Sequence, residues 1–109
     1  MDEKKNPEHS PIGKRLKEAR ARMGISQKEL GIRAGIDQFS ASARINQYER
    51  DKHTPDYSTA RRLAEALAVP VTYLYTDDNE LAELILAYMA APKRLRAEVI
   101  SKLSRPKSL

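Results

Sequence analysis

Gly24-Ile25-Ser26-Gln27-Lys28-Glu29-Leu30-Gly31-Ile32-Arg33-Ala34-Gly35 carries both the start and the stop signals of one short helix. Ser26 stands where an N-cap hydroxyl accepts a backbone N–H, and Glu29, three residues on, completes a capping box. Ile25 before the cap and Leu30 as the fourth helical residue suit a hydrophobic staple. The helix is expected to continue through Ala34 and stop at Gly35, only about two turns. A helix that short is marginal alone, so neighbouring elements must hold it by packing.

Working upstream, Ser10-Pro11 reads as a cap followed by proline at the first helical position, where a missing N–H costs nothing. Ile12, Leu16, Ala19 and Met23 recur at helical spacing, predicting a helix over about 11–23 that Gly24 ends in the left-handed conformation. Residues 1–10 read as a flexible tail. Downstream, 36–40 form a connection, and a third helix runs through Ile45 and Tyr48 over about 41–50. A polar loop at 51–55 precedes a fourth helix from near Asp56, with Tyr57, Ala60, Leu63, Ala64 and Leu67 as its apolar face. Pro70 opens a short fifth turn in which Val71 and Leu74 point inward. A sixth helix spans 79–90, Pro92 breaks it, and Leu95, Val99, Ile100 and Leu103 mark a seventh. A second tail is expected over 104–109.

No segment shows sustained period-two alternation. Ala, Leu, Arg, Lys and Glu dominate, and these side chains lose little rotamer freedom in a helix. The expected fold class is therefore all-α. With 109 residues the chain suits one compact domain with short tails.

Cysteine is absent, which excludes disulfides and Cys-ligated metal centres. No apolar run is long enough to span a bilayer, and the polar first residues do not resemble a signal peptide. A cytoplasmic protein with no membrane partner is expected. The net charge of +5 is unevenly spread. Residues 12–62 hold twelve Lys or Arg against six Asp or Glu, whereas 63–91 hold five acids and no base. A basic front half beside an acidic segment suits a phosphate-binding face with a separate contact region. It is equally compatible with a solvated, well-mixed surface.

The order of these elements resembles the phage-repressor and Cro-type helix-turn-helix family, the xenobiotic-response-element-like regulators. The resemblance rests on Gly24 to Leu30, Ala34-Gly35-Ile36, Ile45-Asn46-Gln47-Tyr48-Glu49-Arg50, Lys52, Pro55 and Leu63 to Val69. It covers residues 12–75, about 60% of the chain. It implies a lambda-repressor-like five-helix DNA-binding domain over 11–76. Two additional C-terminal helices over 77–103 then resemble a dimerisation extension; the plainer reading is that they complete the core of one subunit.

In such domains the third helix enters the major groove and the start of the second lies on the phosphate backbone. The resemblance assigns base reading to Ser42, Ala43, Arg44, Asn46 and Gln47, the set facing away from Ile45 and Tyr48. Glutamine pairs bidentately with adenine and arginine with guanine, which favours Gln47 and Arg44, although Arg44 could instead grip phosphate. Backbone contacts fall to Ser26 and Gln27, and to Arg50, Lys52, His53 and Thr54 after the helix. Helix N-termini favour anions, which suits Gln27 beside its cap; the plainer reading is a solvated first-turn residue. Arg20 and Glu49 occupy positions that form an orienting ion pair in this family, or else are two solvated charges.

One departure from the pattern is clear. The stretch from Gly35 to Glu49 is about four residues longer than usual, and the excess lies within Asp37-Gln38-Phe39-Ser40-Ala41. It either lengthens the turn, with Ser40 capping the third helix, or adds about one helical turn behind an Asp37 cap.

The resemblance implies a transcriptional regulator, in the first instance a repressor, working as a homodimer on a palindromic double-stranded operator. Leu81, Leu84, Ile85, Tyr88 and Met89 form the stripe expected to join two subunits. Alternatives are an operator-binding antitoxin whose last helices hold a toxin, and an adaptor that uses this fold for a protein partner without DNA. No enzyme is expected: there is no catalytic motif, Gly-rich phosphate loop or nucleophile elbow. No cofactor is expected either. Metal binding at His53 is disfavoured, because the other histidine, His9, lies in the tail and zinc needs four ligands.

Overall fold

A computed structural model describes residues 10–104, so most of both expected tails, and His9 with them, lie outside the described residues. The described chain is helical, with no strand: α1 Ile12–Met23, α2 Gln27–Arg33, α3 Ala41–Glu49, α4 Tyr57–Leu67, α5 Val71–Leu74, α6 Asn79–Ala90 and α7 Lys93–Leu103.

Helix α1 begins as its residues dictate. Ser10 Oγ accepts the Ile12 N–H at 3.1 Å, and Pro11 already has helical geometry (φ −76°). Gly24 closes the helix at φ 73°, its N–H reaching the Arg20 carbonyl at 2.9 Å. A residue with a Cβ would be strained there. Ile12, Leu16 and Ala19 enter the core. Met23 does not: it is exposed, while Arg15 is buried on the inner face instead.

In α2 the Glu29 N–H donates to Ser26 Oγ at 3.0 Å. The return arm of the box is absent, because the Glu29 carboxylate is engaged by Arg33 Nε at 2.7 Å. Ile25 packs against the core cluster to which buried Leu30 belongs. The helix ends at Arg33, one residue short of expectation, and Arg62 Nε from α4 donates to the Ala34 carbonyl at 3.0 Å.

Helices α2 and α3 meet where Gly31 faces Ala41. A Cβ built on Gly31 would lie 2.6 Å from that of Ala41, so the two backbones approach as only glycine permits. Ala41, Ile45 and Tyr48 form the buried face of α3. The extra residues lengthen the turn rather than the helix, which begins at Ala41. Ser40 does not cap it, since its hydroxyl accepts no N–H of the helix. Asp37 orders the turn from within: its Oδ2 accepts the Phe39 N–H and its carbonyl the Ser40 N–H, both at 3.0 Å.

Asp56 caps α4, accepting the Thr59 N–H at 2.8 Å. Ala60, Leu63, Ala64 and Leu67 are buried, but Tyr57 is exposed and belongs to no core face. Leu74 is buried, Val71 is half-buried, and Tyr73, unremarked in the sequence, is buried too. Helix α6 contributes Ala82 to the core, with Ile85 and Leu86 packed against it. Helix α7 buries none of its residues.

Candidate nucleic-acid interface

The third helix shows two faces. Ala41, Ile45 and Tyr48 point into the core, while Ser42, Ala43, Arg44 and Gln47 are exposed. This is the division that a 3.6-residue period makes of a helix lying on a core. Asn46 departs from the expected exposed set. It is half-buried, and its Oδ1 accepts from Gln27 Nε2 at 3.3 Å. Arg50, Lys52, His53 and Thr54 are all exposed on the loop that follows. That loop turns sharply at Asp51, which has φ 60°, and the Lys52 N–H closes back onto the Gln47 carbonyl at 2.9 Å.

Behind α3 lies a polar cluster that ties it to α1 and α2. Arg20 donates from Nε to Glu49 Oε2 at 2.7 Å and from Nη2 to Oε1 at 3.0 Å. Its Nη1 also donates to the Ile25 carbonyl at 3.0 Å, so one guanidinium ties α1 to both the start of α2 and the end of α3. The Glu49 side chain is only 3% exposed and that of Arg20 19%. Hydrogen bonding to Glu49 raises the Arg20 pKa above its ordinary value, against the opposing effect of partial burial.

Gln27 completes the cluster, since its Nε2 also donates to Glu49 Oε1 at 3.0 Å. Both hydrogens of that amide nitrogen are therefore engaged within the protein. Gln27 is neither a freely solvated residue nor an open side-chain donor. Ser26 is exposed at the same helix start.

A second polar centre, which the sequence did not bring forward, joins α1 to the C-terminal helices. Arg15 is 2% exposed. It donates to the Thr76 carbonyl (2.7 Å), Glu18 Oε1 (3.0 Å) and Asn79 Oδ1 (3.1 Å), with its guanidinium 5.8 Å from the Tyr73 ring centre. The signal available in the sequence was position: Arg15 falls beside Leu16 on the inner face, where charge looks out of place.

The expected dimerisation stripe is divided. Leu81, Leu84 and Met89 are exposed, whereas Ile85 and Tyr88 are half-buried. Leu95, Ile100 and Leu103 of α7 are exposed as well. Between α6, α7 and the start of α5 lies an apolar groove of about 280 Å³, lined by residues that include Leu84, Tyr88, Val99 and Ile100.

Residues 13–80 match the helix-turn-helix domain family. The chain belongs to that family. Its pattern is that of the phage-repressor and Cro-type members, whose fold the helices reproduce. An HTH-type transcriptional regulator, ImmR of Bacillus subtilis (strain 168), is 37% identical over 68 residues, 62% of this chain and 50% of that one. An uncharacterized transcriptional regulator in the ATPase CF(0) region of Rhodospirillum rubrum is 30% identical over 66 residues, 61% of this chain and 57% of that one. This helix-turn-helix chain thus spans about half the length of the curated relatives it matches.

Similarity to a solved structure extends further. The crystal structure of transcriptional regulator BswR superposes with a TM-score of 0.82 at 47% identity, covering 88% of this chain and 95% of that one. These relatives are named as transcriptional regulators rather than as enzymes. No described helix is long and apolar enough to cross a membrane.

Proposed function

We propose that this chain is a transcriptional regulator that binds double-stranded DNA, reads the major groove with α3, and acts as a homodimeric repressor on a palindromic operator in the cytoplasm. The observation that carries this reading is the pose of α3. Its outer face offers Ser42, Ala43, Arg44 and Gln47 to solvent, while Arg20, Glu49 and Gln27 hold it from behind. Gln47 and Arg44 supply bidentate donors and acceptors for base edges. Ser42 and Ala43 allow close approach. Asn46 holds the Gln27 amide and stands at the edge of the reading face. Ser26, Gln27, Arg50, Lys52, His53 and Thr54 flank that face and grip phosphates, with Gln27 contributing through its backbone N–H.

Residues 11–76 form the DNA-binding part and 77–103 the assembly part. Supporting the dimer is α7, none of whose residues is fully buried within its own subunit. Eleven residues do not hold a helix in water by propensity alone. A second copy that covers the exposed apolar residues of α6 and α7 supplies the missing packing.

Selection of bound sequences from a random DNA pool, paired with sedimentation of the protein, tests the reading. Enrichment of a two-fold symmetric site with half-sites about 34 Å apart is expected, from a protein that sediments as a dimer. Leu84→Asp with Ile100→Asp should give a folded monomer with weakened binding to that site. If no sequence is enriched, the regulator reading fails. If sedimentation of the double variant is unchanged, the α6–α7 face is not the subunit contact.

A further inference from the structure

Phe39 is the only phenylalanine of the chain and the most solvent-exposed large apolar residue of those described, at 88%. The apolar residues of comparable exposure at the C-terminal end lie on α6 and α7, where a subunit contact accounts for them. Phe39 stands elsewhere, in the turn immediately before α3.

Its position there is ordered. Asp37 receives the N–H groups of Phe39 and of Ser40, and the Arg44 N–H reaches the Ser40 carbonyl at 2.9 Å, joining the turn to the helix. Ser40 is the last residue before the helix, with φ −110° and ψ −9°. Phe39 directly precedes it, so its exposed ring stands next to the N-terminal end of α3, whose outer residues are Ser42, Ala43, Arg44 and Gln47. That end meets base edges when such a helix enters the major groove.

We propose that Phe39 is a specificity-determining residue that packs its ring against the C5-methyl group of a thymine at the edge of each half-site. The assignment rests on the DNA-reading function proposed above. In the major groove the thymine methyl is the one apolar feature that distinguishes a base pair, and phenylalanine is suited to contact it. The same contact gives the extra turn residues a role: they carry an apolar reader beyond the reach of α3 itself.

The test pairs Phe39→Ala with removal of the methyl group from the DNA. The selected operator is compared with duplexes in which single thymines are replaced by deoxyuridine. At one symmetric pair of positions the native protein should lose affinity by about fourfold per methyl, the factor for burying one such group. Phe39→Ala should bind the unmodified operator correspondingly more weakly and be indifferent to deoxyuridine at those positions alone. Its helical circular dichroism should match that of the native chain, because the ring is almost wholly exposed. A variant that binds as tightly as the native protein, or that remains equally sensitive to every methyl deletion, overturns the assignment while leaving DNA reading intact. A native protein that selects no sequence overturns the DNA reading and this assignment with it.

Discussion

Arg20 and Glu49 meet at two points, Nε to Oε2 at 2.7 Å and Nη2 to Oε1 at 3.0 Å, across the junction of α1 with the end of α3. The carboxylate is almost wholly buried, and this partner and Gln27 supply its hydrogen bonds. An intact pair of this kind adds little net stability, because desolvation offsets attraction, but removing one partner leaves a buried charge uncompensated. Arg20→Ala should therefore cost about 3 kcal/mol. Lys17→Ala, at an exposed position on the same helix, should change stability by less than about 0.5 kcal/mol. A thermodynamic cycle of Arg20→Ala with Glu49→Gln, followed by urea denaturation, should show coupling between the two sites. Additive effects would remove the pair as the element that orients α3.

Arg15 plays the corresponding part on the other side of α1. Its guanidinium holds Thr76 and Asn79, the last turn before α6 and the first residue of α6. Arg15→Met keeps much of the apolar stem but leaves the Thr76 carbonyl without this donor. A loss of about 1–3 kcal/mol is expected. Amide exchange should rise in 76–90 more than in α2 and α3. Uniform loss of protection instead would mean that Arg15 supports the whole core rather than the exit of the chain into α6.

The Asp56 cap predicts a pH dependence. Hydrogen bonding, first from the Thr59 backbone N–H and then from the Thr59 side chain, holds its pKa below the ordinary carboxylate value. A depressed folded-state pKa contributes stability above the unfolded value, and that contribution disappears as pH falls through the folded one. Asparagine caps a helix about as well but does not titrate. Thermal stability of the native chain should thus fall faster than that of Asp56→Asn between neutral pH and the acid range. Parallel melting curves at every pH would contradict this.

Much of the fold was legible in the chain because its signals are local. The Ser26 cap, the left-handed Gly24, Asp56 and the spacing of Ala60, Leu63, Ala64 and Leu67 in α4 act within one or two helical turns, and each is found where its residues place it. What escaped depended on partners distant in sequence. Met23 and Tyr57 have helical spacing suited to a core, yet both are exposed. Arg15 is charged, yet Thr76 and Asn79, more than sixty residues on, make its burial possible. Asn46 looked like a surface residue because its partner, Gln27, belongs to another helix. The long turn left two readings open, since a serine and an aspartate were both available as caps; the Asp37 hydrogen bonds decided for the turn.

In the proposed function α3 reads bases while the loop after it holds the backbone, and one measurement separates the two roles. Affinity is measured for the selected operator and for scrambled DNA, over a range of salt, with the native chain, Gln47→Ala and Lys52→Ala. Both residues are exposed, so both variants should fold. Gln47→Ala should lose about 1–3 kcal/mol on the operator, little on scrambled DNA, and keep its salt slope, since no charge is removed. Lys52→Ala should weaken both DNAs by similar factors and lower the salt slope by about one ion. Equal weakening of operator and scrambled DNA by Gln47→Ala would contradict the account, because α3 would then be holding DNA without reading it.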